Sequence, residues 1–271
     1  MLIKLYSAIT RAFEVSRIFI YTFRKWPFNK WVDFWTTDNP ETVVSLNGIS
    51  VAIRTKTFFS KSADISMAYE CIVRDDYQLY YLNIGDKSSI IDIGAHIGSF
   101  SLAAAKRFPD SRILSFEPSP SNYKLLRKNI YLNKLSNIKP FNNAVSSKDG
   151  EISFYIDPIN SAANSIYNSK GMEVKVPSTT LKRIFDENGI KKCPFMKVDC
   201  EGAEYDILLN AQDEILEKIE IVAIEYHSPK HFGIKNKDYN VQNLVKRLEL
   251  AGFRCSLRKM KHYQGVLVAR R

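Results

Sequence analysis

From residue 88 onward, short apolar runs alternate with segments whose apolar positions recur every third or fourth residue. Ile90 to Ile93, Ile113 to Phe116, Ile138 to Val145, Phe195 to Val198 and Glu220 to Tyr226 read as strands. Helices are expected from Gly98, from Pro120 to near Asn133, from Thr179 or Thr180 to near Glu187, from Gly202, and from Val241 to Leu250. The second helix has Ser119 as its cap, proline at its first position, and Tyr123, Leu126 and Ile130 along one face. Such alternation predicts an α/β fold with a Rossmann-like, mostly parallel sheet. The last two runs, Phe253 to Leu257 and Tyr263 to Ala269, are joined too closely for a crossover. They are expected as antiparallel neighbours, which reverses the C-terminal strand.

Ahead of residue 88 the pattern differs. Asn47-Gly48 between Thr42–Leu46 and Ile49–Ile53 marks a β-hairpin. Met67 to Val73 reads as a short strand, and Arg74 to Leu82 as a helix. Residues 1–65 are expected as an N-terminal helical and hairpin extension, and residues 66–271 as the main domain. Residues 157–172, rich in Asn and Ser and without periodicity, are expected as a mobile loop near a substrate mouth; Glu151 to Ile156 and Val174 to Val176 flank it as strands.

Residues 1–35 mix apolar positions such as Leu5, Ile9, Phe13, Phe19 and Phe23 with Lys4, Arg11, Arg17, Arg24 and Lys25. No run of about 20 uncharged apolar residues exists, so no membrane span is expected there. No apolar core followed by a small-residue cleavage site suggests a signal peptide either. A basic helix with aromatic content, followed by Trp26, Trp31 and Trp35, either lies on an anionic membrane surface or packs against the main domain or a partner subunit.

The formal charge of +10 favours anionic partners without choosing among them. The aromatics do not interleave with a basic run, so no nucleic-acid partner is expected. Cys71, Cys193, Cys200 and Cys255 show no Cys-x-x-Cys spacing. Reduced, buried thiols in a cytoplasmic protein are the reading, possible membrane association through residues 1–35 aside.

The chemistry gathers at strand ends. Asp92-Ile93-Gly94-Ala95-His96-Ile97-Gly98-Ser99 joins the first strand to its helix. Gly94 and Gly98 allow positive φ and close main-chain approach, and the helix start aims free N–H groups into the turn. Asp92 either holds the turn open or meets a ligand through water; Ala95, His96 and Ser99 line the same bend. Glu117 lies 19 residues beyond Gly98, near the roughly 20 expected of an acid that accepts from ribose hydroxyls. Pro118 follows it, and Asn143 and Ala144 end the third strand where an adenine edge would lie. Glu70 and Tyr77, just ahead of the turn, are weaker candidates.

Asp-x-Gly-x-x-x-Gly lacks the tight Gly-x-Gly pair of pyrophosphate sites. A ligand with one ribose and no pyrophosphate fits better, which points to S-adenosylmethionine; the rival readings are a nicotinamide-dependent oxidoreductase and a non-catalytic membrane-surface module. Asp199 and Glu201 end one later strand, and Glu225 and His227 the next, all toward the same crevice. Ser228-Pro229 separates His227 from His231, so no metal pair is expected.

Ile91–Gly98, Phe116–Pro120, Asn143–Val145, Lys197–Glu204 and Ile224–His227 together resemble the FkbM-type family of S-adenosylmethionine-dependent methyltransferases, over about Glu70 to Arg271. The resemblance implies a class I methyltransferase sheet and O-methylation of a hydroxyl on a small molecule or glycan, with a sugar-type acceptor favoured. A hydroxyl attacks weakly unless its proton leaves. Asp199, Glu201, Glu225 and His227 are the candidate bases, Asp199 and His227 foremost. The chain departs from the family in two places. His96 stands where Asn is usual, and Thr180-Leu181-Lys182-Arg183 stands where Thr-Leu-Asp-Asp is common, replacing acids with a basic patch.

Overall fold

In the computed structural model, which describes residues 16–85, 87–157, 161–167, 171–261 and 263–271, the chain opens with a helix over residues 16–25 and then α1 (Phe28–Thr36). The inner side of the first helix docks on the protein: Ile18 and Thr22 are buried, and Tyr21 Oη donates to Asn47 Oδ1. β1 (Glu41–Leu46) and β2 (Ile49–Arg54) form the expected antiparallel hairpin. Asn47 and Gly48 both take the positive φ that this turn requires.

α2 (Phe58–Ala68) follows and continues into a π-helical turn, Tyr69–Arg74. The strand expected over Met67 to Val73 is therefore helical. Ala68, Cys71 and Ile72 bury one face against the core, and a short apolar run does not distinguish a strand from a buried helix. The helix expected over Arg74 to Leu82 shrinks to a 3-10 turn, Leu79–Tyr81. Asp75, in the left-handed region, ends the preceding helix, and its carboxylate accepts from the N–H groups of Leu79 and Tyr80.

The repeating part comprises β3 (Ser89–Ile93), α3 (Ser99–Arg107), β4 (Arg112–Phe116), α4 (Pro120–Leu132), β5 (Ile138–Phe141), β6 (Ala144–Val145), β7 (Gly150–Ile156) and β8 (Met172–Thr179). After these come α5 (Leu181–Glu187), β9 (Phe195–Val198), α6 (Glu204–Leu209), α7 (Asp213–Leu216), β10 (Ile221–His227), α8 (Val241–Leu250), β11 (Arg254–Lys261) and β12 (Gln264–Arg270). Seven strands form the main sheet in the order β11-β12-β10-β9-β3-β4-β5. Six run in one direction; β12 alone runs against them, between β11 and β10. The reversed strand is thus the last in sequence, lying one place inside the edge.

The run Ile138 to Val145 does not stay one strand. β6 leaves the main sheet and pairs with β8 in a second sheet ordered β6-β8-β7. Asn142 makes the break: its side-chain amide donates to the carbonyls of Glu117 and Pro118.

Helices cover both faces, so β3 is buried along its whole length. On one face Ile90, Phe100 and Phe195 join Leu46, Val51 and Ile65 in one cluster. The hairpin therefore shares the core of the sheet, and the boundary expected between residues 65 and 66 falls inside α2. On the other face Ile91, Leu114 and Met196 pack with Phe185, Tyr205 and Leu248.

Candidate functional site

At the end of β3 the main chain turns sharply, the N–H groups of Gly94 and Ala95 both donating to Phe116 O. Gly94 has φ +78°, and a Cβ there would sit 1.7 Å from Asp199 O. Gly98 has φ +94°, and its Cβ would meet Leu126 Cδ1 at 2.5 Å. At both glycines a side chain would collide with the protein itself, and Gly94 also lines the cleft. Gly94→Val is accordingly expected to lose the cooperative thermal transition altogether. A native melt with only nucleoside affinity lowered would overturn this expectation.

Glu117 ends β4 and is 4 % exposed. Its oxygens accept from the N–H groups of His96 (2.8 Å) and Ser119 (2.9 Å), and from Asn122 Nδ2 at a longer 3.3 Å. Burial raises its pKa to about 7, although those two backbone N–H groups pull the other way. A carboxylate offers about four acceptor positions, so capacity remains for a hydroxyl in the cleft.

His96 points into a cluster the sequence did not disclose. Its Nε2 lies 3.2 Å from an Arg54 nitrogen and 3.1 Å from Ser161 Oγ, and Asp64 pairs with Arg54 at 2.7 Å. Burial lowers the imidazole pKa to about 4, so it is neutral. Arg54 and Asp64 come from the amino-terminal region and Ser161 from the Asn- and Ser-rich stretch, whose residues 158–160 and 168–170 lie outside the described residues. Its described part forms a 3-10 turn, Ser161–Ala163, at the cleft.

Asp92 does not reach the cleft wall. It is fully buried, accepts from Ser101 Oγ at 2.6 Å, and pairs with Lys197 Nζ at 3.2 Å. Lys197 also donates to Gly94 O (3.0 Å) and lies 3.5 Å from Asp199. Burial opposes its charge, yet Asp92 and Asp199 hold its pKa above the ordinary value. Lys197 is the functional residue that sequence reasoning passed over; the signal was a lysine in the middle of a fully buried strand.

A second knot ties the ends of β9 and β10. Buried Glu204, also given no role beforehand, accepts from the N–H groups of Gly202 and His227. The His227 ring has Glu204 3.3 Å from Nδ1, and Glu201 and Glu225 3.5 and 3.8 Å from Nε2. Burial works against a charged ring, but the three carboxylates raise its pKa well above the usual value. Burial first, then Asp199, raises that of Glu225.

The cleft encloses about 720 Å³ of space free of protein atoms, part of it open to solvent. Gly94, His96, Glu117, Pro118, Asn143 and Ala144 line it, as do Asp199, Glu201 and Glu225 from the other strand ends. Asp92, Ala95, Gly98, Ser99 and His227 stand behind its wall. Tyr77 does too, donating to Asp199 Oδ2 at 3.3 Å, while Glu70 pairs with Arg74. Met67, Asn122, Asn164 and Ile166 line the cleft without having been anticipated. His231 stacks on Tyr263 rather than joining His227. Asp199, Glu201 and His227 do present atoms within 4.8 Å of one another, a set able to hold a metal ion.

His96 lines the cleft, and its Nδ1 is buried at the turn without a hydrogen-bond partner among the described residues. Together with the spare acceptor capacity of Glu117, it fits a polar nucleoside ligand.

This strand order, with its last strand reversed, is that of a class I methyltransferase fold. The chain belongs to the FkbM methyltransferase family: residues 92–255 match the domain described as Methyltransferase FkbM domain. It is an S-adenosylmethionine-dependent methyltransferase. It is 30% identical over 180 residues to methyltransferase sdnD of Sordaria araneosa, an alignment spanning 54% of this chain and 69% of that one. Over 169 residues it is 24% identical to the 31-O-demethyl-FK506 methyltransferase FkbM of Streptomyces tacrolimicus, covering 51% of this chain and 65% of the relative. Among solved structures it is similar to M. jannaschii TYW2 in complex with AdoMet, with 16% identity, 85% of each chain and a TM-score of 0.45, too loose a likeness to argue from.

Proposed function

We propose that the protein methylates a hydroxyl of a small-molecule or glycan acceptor, a sugar-type hydroxyl foremost, with Asp199 as proton acceptor. The observation that carries this is the carboxylate rim of Asp199, Glu201 and Glu225 on the wall of the cleft that holds Glu117. S-adenosylmethionine supplies a methyl group on a sulfonium that leaves as a neutral thioether. The protein's task is to hold the acceptor oxygen in line and take its proton. Asp199 faces the cleft, and Lys197 and Tyr77 fix its orientation. His227 is 2 % exposed with both ring nitrogens turned to carboxylates, so it positions Glu201 and Glu225 instead of receiving the proton. The name of the Streptomyces relative supports an oxygen acceptor.

The test is S-adenosylhomocysteine release with sugar hydroxyl, amine and thiol acceptors. Turnover is expected with hydroxyls, and Asp199→Asn is expected to lower kcat by roughly 10²–10⁴ with cofactor affinity kept. Turnover only with amines or thiols would end the proposal. An Asp199→Asn variant of undiminished kcat would move the base elsewhere.

A further inference from the structure

The outer side of the amino-terminal helices has no part in the cleft. In the helix over residues 16–25, Ile18 and Thr22 face the protein. The opposite side, where an ordinary surface helix is polar, carries Phe19, Ile20 and Phe23 at 40%, 51% and 54% exposure. Phe28, at the start of α1, is 68% exposed. Trp31 joins these side chains into one sheet of rings: its centroid lies 4.6 Å from Phe19, 5.2 Å from Phe23 and 6.1 Å from Phe28. A contiguous apolar surface rimmed by polar groups marks an interaction site.

The rim identifies the partner. Arg17, Arg24, Lys25 and Lys30 are all exposed, and none forms an ion pair among the described residues. Asp33 is the single acid in residues 16–36. No helix among the described residues is long and apolar enough to cross a membrane. Short helices with rings on one side and cations beside them suit an anionic bilayer surface. The rings enter the boundary between headgroups and acyl chains while the cations meet lipid phosphates. A second copy of the chain fits worse, because a two-fold contact through this patch would bring two sets of four cations together. We propose that the protein docks on an anionic bilayer through the aromatic face spanning Phe19 to Trp31.

The experiment is co-sedimentation of the full chain with vesicles of phosphatidylcholine alone or mixed with phosphatidylglycerol. The bound fraction is expected to correspond to roughly tenfold tighter partition onto the anionic vesicles at ~0.1 M salt, and to fall as salt is raised. Phe23→Glu with Phe28→Glu is expected to abolish binding. Should that pair disturb folding, Arg24→Glu with Lys25→Glu, which leaves every ring in place, is expected to weaken binding at least severalfold. Equal binding to both vesicle types, no binding to either, or binding untouched by both pairs of substitutions would overturn the proposal. So would a concentration-dependent dimer that Phe28→Glu dissolves while vesicles remain bare.

Discussion

Lys197→Met is expected to cost the fold about 3–5 kcal/mol, the scale for removing one partner from a buried ion pair. Lys197 and Asp92 are 2% and 0% exposed, and the same ammonium neutralises Asp199. Without it Asp92 is left uncompensated in the interior, and it must take up a proton or the region must open to water. Because Lys197 also donates to Gly94 O, the turn that supports the cofactor would loosen along with the ion pair. Urea unfolding at neutral pH reads the loss. Asp92→Asn in the Lys197→Met background should recover part of it, since one uncompensated charge then disappears. An unchanged midpoint for Lys197→Met would show that the pair carries no stability.

Glu117→Ala is expected to weaken S-adenosylmethionine binding somewhat over a hundredfold. One strong and one weaker hydrogen bond to a charged acceptor together amount to about 3 kcal/mol. The carboxyl also sets a pH dependence. Its pKa stands at about 7, raised from an ordinary 4.5. The neutral form is favoured by the fold, so its contribution to stability is complete below pH 4.5 and is lost as pH rises through 7. Hydroxyl donors of a ribose prefer the carboxylate, so binding below pH 7 must expel a proton. Affinity should fall toward acid, by up to about tenfold per pH unit. Calorimetry at pH 6.5 in two buffers of different ionisation heat should show that proton release in the native protein and none in Glu117→Gln. Identical heats in both proteins would remove Glu117 from cofactor binding.

The positions that line the cleft were more legible than what each of them does there. Gly94 and Glu117 announced themselves through spacing at strand ends. Gly94, however, serves a backbone contact 103 residues away at Lys197 Nζ and the neighbouring Asp199 carbonyl. Asp92 was expected at the ligand and is a buried counter-ion. Arg54 and Asp64, ten residues apart, meet Ser161 around His96 across 107 residues of chain, and nothing local in any of them marks that meeting. The replacement of Asn by His at residue 96 gains a physical setting there: a neutral ring held between a guanidinium and a hydroxyl.

Periodicity, caps and the short final link determined the alternation of elements, the parallel sheet and the reversal of its last strand, because those features depend on neighbours within a few residues. Which face the hairpin covers, which lysine neutralises which acid, and which carboxylates reach the cleft were decided only by the tertiary structure. Burial and charge pairing act across space, and a chain of letters carries no distance between residue 54 and residue 161.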